Sequence, residues 1–84
     1  MSIFQSIVNH KINTITTEEL MRYGKQFGVS ISEKEAKQIA AYLRGRNVDI
    51  FNISERGRLL KEIEKLTSPQ TAKAVSQVVT QFTK

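Results

Sequence analysis

Apolar residues recur at helical spacing along nearly the whole chain, and polar signals punctuate them. Ile3, Phe4, Ile7 and Val8 lie at i, i+1, i+4 and i+5, which predicts a first helix over residues 2–12. Lys11 falls inside the arc that would also take Ile12, so the helix is expected to end or turn near residues 10–13. Ile15-Thr16-Thr17-Glu18-Glu19-Leu20 opens a second helix. Thr16 and Glu19 stand as a capping box, and Ile15 and Leu20 as a hydrophobic staple. The helix continues through Leu20, Tyr23, Gly24 and Phe27, and Gly28 suits a left-handed stop. Gly24 interrupts the apolar stripe, where glycine costs about 1 kcal/mol relative to alanine, and close approach of another helix is the expected reason.

The entry signal returns twice. Ser32 and Glu35 open a third helix with Ala36, Ile39, Ala40 and Leu43 on one arc, closed by Gly45. Asn52 and Glu55 open a fourth with Ile53, Leu59, Leu60, Ile63 and Leu66. Ser68-Pro69 starts a fifth, with a serine cap and a proline at the first helical position. Its stripe is Ala72, Val75, Val79 and Phe82, with Val78 at the edge. The expected architecture is all-α: a single domain over 1–84, of about five short helices built from helix hairpins. Val29–Ile31 and Val48–Phe51 are the apolar connectors. They could alternatively be two short extended pieces hydrogen-bonded to each other.

Size and composition narrow the functional classes. Eighty-four residues leave room for one small domain with a thin core. There is no cysteine and one histidine, too few soft ligands for a transition-metal site within one chain. Asp49 is the sole aspartate, and no phosphate-binding glycine motif is present. No apolar run approaches the roughly 18 residues of a membrane span. The first residues, Met1 to Gln5, lack the cationic-then-apolar order of a secretory signal, so the expected compartment is the cytoplasm. No metal, cofactor, membrane or small-molecule substrate is inferred.

Little suggests catalysis. His10 has only Thr14, Thr16 and Thr17 nearby, all better read as cap and turn residues. Glu18, Glu19, Glu33, Glu35 and Glu55 each fall in the first turn of a predicted helix, where the macrodipole favours negative charge. The expectation is a non-enzyme.

The net charge of +5 is spread along the chain in small increments and forms no polybasic tail. Between residues 41 and 61, however, Arg44, Arg46, Arg56, Arg58 and Lys61 face only Asp49 and Glu55. Four of the five arginines sit there, a residue type suited to bidentate phosphate or carboxylate recognition. If helices three and four are antiparallel neighbours, the two pairs form one anion-binding patch. The plain reading is a helix end complemented by Arg44 and Arg46, with Arg58 and Glu62 as an i, i+4 pair. Arg56 falls on the apolar face of helix four. It could snorkel, stack on Phe51 or pair with a buried carboxylate. A helix-turn-helix at helices two and three is geometrically available, but Glu33 and Glu35 would then face phosphates.

Taken together, the segments Ile12-Asn13-Thr14-Ile15-Thr16 with Glu19-Leu20, Leu43-Arg44-Gly45-Arg46-Asn47, Ile50-Phe51-Asn52 and Thr67-Ser68-Pro69-Gln70-Thr71-Ala72 resemble the YqfT-like family. These are small proteins of unknown function from Bacillus-type bacteria, and the resemblance spans essentially the full chain. It implies a cytoplasmic protein of a Gram-positive, spore-forming lineage and supplies no activity or site residues. From the residues themselves, the expected function is a protein–protein interaction or adaptor module. It would act through self-association or a partner groove at Val75, Val78, Val79 and Phe82. The alternative is a nucleic-acid-binding accessory protein that uses the arginine patch.

Overall fold

Local capping chemistry sets the helix starts. A computed structural model describes residues 2–83. It contains α1 (Ile3–Asn13), α2 (Thr17–Gln26), α3 (Glu33–Leu43), α4 (Ile53–Leu66) and α5 (Pro69–Thr83), and no strand among the described residues. Thr16 and Glu19 form the expected reciprocal box. Ser2 and Gln5 form another at the start of α1. Ser32 accepts the Glu35 N–H, but the Glu35 carboxylate takes the Ser32 hydroxyl instead of its backbone N–H. Asn52 accepts the Glu55 N–H and Ser68 that of Thr71. Each cap satisfies a donor that has no partner inside its helix.

α2 packs chiefly on α3 and α4 chiefly on α5, with α5 also against α2 and α1 against α3. Gly28 and Gly45 take the left-handed conformation at the two turns, with φ of +78° and +81°. Gly24 does meet a close neighbour, though not another helix. A Cβ there would stand 3.2 Å from the Val29 carbonyl oxygen and 3.3 Å from the Ile31 side chain, the connector that folds back over α2. The Val29 N–H donates to the Gly24 carbonyl at 2.8 Å.

The core follows the expected stripes on α3, where Ala36, Ile39, Ala40 and Leu43 are all buried. Three expectations change elsewhere. On α1 the buried residues are Val8, Asn9, Ile12 and Asn13, while Ile3, Phe4 and Ile7 are exposed. On α4, Leu59 and Ile63 are buried, but Ile53 and Leu66 are exposed. On α5, Thr71, Ala72, Ala74, Val75, Val78 and Val79 are all buried. That helix is part of the core, because its apolar arc is covered by both α2 and α4.

The two apolar connectors do not pair with each other. The segment after α3 is tied to α1 by side chains. Asn13 Nδ2 donates to the Val48 carbonyl and the Val48 N–H donates to Asn13 Oδ1, both at 2.9 Å. One turn earlier, Asn9 Oδ1 accepts the Ile50 N–H at 3.0 Å and Asn9 Nδ2 donates to Asp49 Oδ1 at 2.9 Å. Two amides thus do for this connector what a neighbouring strand would do, and Ile50 is fully buried beneath it.

Candidate functional site

The arginines do not converge as one patch. Arg46 leaves the end of α3 and lies over the Tyr42 ring, its guanidinium carbon 4.1 Å from the ring centroid. Its Nε also donates to the Tyr42 carbonyl at 3.0 Å. Arg58 reaches the same shallow pocket of about 190 Å³, which Glu55 and Leu59 also line. Arg56 turns the other way and makes a long hydrogen bond, 3.4 Å, to Thr83 at the end of α5. Helical geometry requires that split, since residues two apart lie roughly 200° apart around the axis. Among the described residues, the guanidinium of Arg56 has no ring contact with Phe51 and no ion pair with a carboxylate. Arg44 is exposed at the C-terminal end of α3, and its N–H donates to Ala40. Lys61 lines a separate groove between α4 and α5, with Glu64 and Lys73. The Arg58–Glu62 pair is not among the ion pairs of the described residues, and Glu62 lies 3.7 Å from Lys65. What remains of the cluster is Arg46 and Arg58, which line one pocket together with Glu55.

The valines of α5 are closed to a partner as well. Val75, Val78 and Val79 are buried, and Phe82, half-buried, packs edge-on against Tyr23 with ring centroids 5.1 Å apart. The candidate interface therefore moves from α5 to α1. Ile3 is 82% exposed, Phe4 60% and Ile7 63%, and Ile53 at the first position of α4 is 79% exposed. Phe4 rests edge-on against Phe51, 6.4 Å between centroids, which links the first turn of α1 to the start of α4. The helical spacing grouped Ile3, Phe4 and Ile7 with Val8, and of these four only Val8 is buried. The warning sign was Asn9 and Asn13, two poor helix formers four apart beside Val8 and Ile12. They mark a polar clamp on the buried face, and they rotate the apolar residues of the first turn outward.

Beside the clamp, a cleft of about 420 Å³ is lined by Ser6, His10, Thr14, Asn47 and Asp49, among others. Asn47 there has φ of +54°, a left-handed conformation that asparagine tolerates. A salt bridge joins α1 to α2: the Lys11 amine donates to the Glu19 carboxylate. The bond to Lys11, then the Thr16 backbone N–H, holds the Glu19 carboxyl below its ordinary range. The same bond to Glu19 raises the Lys11 amine. Among the described residues, no group of three or more His, Asp or Glu side chains is placed to hold a metal ion. No helix among them is long and apolar enough to cross a membrane.

Residues 1–83 match the model of a family described as "Protein of unknown function (DUF2624)". The chain is also 45% identical over 83 residues to the "Uncharacterized protein YqfT" of Bacillus subtilis (strain 168), covering 99% of each. No solved structure matches.

Proposed function

The chain belongs to this DUF2624 family, and for it we propose a non-enzymatic, cytoplasmic protein-binding module that works through the apolar face at the start of α1. One observation carries the reading: Ile3, Phe4, Ile7 and Ile53 are large apolar side chains left more than half exposed, while Leu66, at 41%, is the remaining exposed large apolar residue among the described residues. Exposed apolar groups scattered singly are ordinary. Here three of them share one helical turn and a little more, and Phe51 joins that turn to the next element. Patches of a few hundred Å² on a small protein mark interaction sites.

The nucleic-acid alternative has less support. Phosphate recognition needs several cations on one face, and here two arginines share a pocket with a carboxylate. The test is a photo-cross-linking side chain placed at Phe4, at Ile53 or at the exposed Gln38 on α3. Adducts from Phe4 and Ile53, absent from Gln38, are the expected result. No adduct from Phe4 or Ile53, together with nucleic-acid binding that falls steeply with salt, would replace this reading with the alternative.

A further inference from the structure

We propose that the pocket between α3 and α4 binds the phosphate group of a small free molecule, held between Arg46 and Arg58. The pocket, about 190 Å³, is lined by Tyr42, Arg46, Val48, Glu55, Arg58 and Leu59, and shares no residue with the apolar face of α1. The first argument is order. The Arg46 guanidinium is fixed over the Tyr42 ring and by its Nε bond to the Tyr42 carbonyl. Its two terminal nitrogens have no hydrogen bond or ion pair among the described residues, so they form a fork that is already aimed. A ligand that takes this fork immobilises little more of the side chain.

The second argument is stoichiometry. Arg58 lines the same pocket and also has no hydrogen bond or ion pair among the described residues. Glu55 neutralises neither arginine: it makes no ion pair with them, and one of its oxygens accepts the Asp49 N–H at 3.3 Å. Two forks need more acceptors than the two oxygens of a carboxylate, and a phosphate group offers three or four. The third argument is size. A pocket below the roughly 300 Å³ of drug-sized sites takes a small group. Two arginines match one phosphate but make no track for a polymer, because Arg56 reaches Thr83 and Lys61 lines a different groove. Glu55 then acts as a brake on anion affinity, since its carboxylate lines the pocket.

Titration of the isotope-labelled chain with inorganic phosphate, at constant ionic strength and followed by amide NMR, tests this. The expected result is a saturable shift of the Val48, Glu55 and Leu59 amides, with a dissociation constant on the order of 1 mM. Arg58→Ala should weaken binding by about tenfold or more, and Glu55→Gln, which keeps an acceptor for the Asp49 N–H, should strengthen it several-fold. Lys61→Ala is the control for diffuse attraction to a chain of net charge +5. Shifts that do not saturate, or that weaken as much in Lys61→Ala as in Arg58→Ala, overturn the site. Acetate that binds as tightly as phosphate overturns the ligand class. A single-stranded oligonucleotide that shifts the same amides at far lower phosphate concentration overturns the small free molecule in favour of a polymer.

Discussion

Asn13 and Val48, 35 residues apart in the chain, exchange two hydrogen bonds of 2.9 Å each, one in either direction. This is the pattern of a bridge between paired strands, made by a side-chain amide from a helix. Asn13 Nδ2 also donates to the carbonyl of Asn9, which sits one turn back and holds Ile50 and Asp49. The pair fixes the apolar connector between α3 and α4 over the core.

Asn13→Ala is expected to destabilise the fold by about 1–3 kcal/mol, the cost of leaving partly buried backbone groups without partners. Asn9→Ala should cost a similar amount. Because the two amides hold one segment, the double substitution should cost less than the sum of the single ones. Urea unfolding of the three variants checks both points. A double variant that adds fully would mean two independent anchors.

Helix α5 and the first turn of α1 should respond in opposite ways to the same kind of change. Val78 is 1% exposed, so Val78→Ser buries a hydroxyl in a cavity and is expected to cost about 2–4 kcal/mol. Ile7→Ser on the exposed face of α1 should stay within about 0.5 kcal/mol in the monomer. Thermal unfolding at low concentration reads both. A destabilised Ile7→Ser monomer would mean that the turn is packed in solution.

The Lys11–Glu19 tie sets a pH window for stability. The carboxyl of Glu19 is lowered from its ordinary value of 4.5 in the folded chain. Its contribution is therefore fully present above that value and disappears as pH falls through the lowered one. The Lys11 amine is raised from 10.5, so its contribution is present below that value and disappears as pH rises through the raised one. Glu19→Gln should flatten the acid limb of the stability profile, and Lys11→Met the alkaline limb. Unfolding midpoints across pH check this, and unchanged limbs would mean the pair is not formed in solution.

Arg46 and Arg58 should separate in stability even though they share a pocket. Arg46→Ala removes the stack on Tyr42 and is expected to cost about 0.5–1 kcal/mol. Arg58→Ala removes no ion pair of the described residues and should fall within about 0.5 kcal/mol. Urea unfolding of the two variants checks this, and equal midpoints would mean that the stack on Tyr42 contributes nothing to the fold.

The sequence by itself determined where the helices begin and how the turns close. A cap at Thr16, Ser32, Asn52 or Ser68 acts on an N–H three residues away, and a left-handed glycine acts on its own φ. Such effects are complete within one turn, so they can be read before any tertiary contact is known. The separation of Arg56 from Arg58 was legible too, because it follows from residues per turn alone. Only the tertiary structure decided which apolar arcs face inward. Val75, Val78 and Val79 are core because α2 and α4 close over α5, and nothing within α5 specifies that. Ile3, Phe4 and Ile7 are surface because Asn9 and Asn13 find their partners at Val48 to Ile50. An asparagine on a helix states that it needs hydrogen bonds, but their source across 35 to 41 residues depends on how the chain returns.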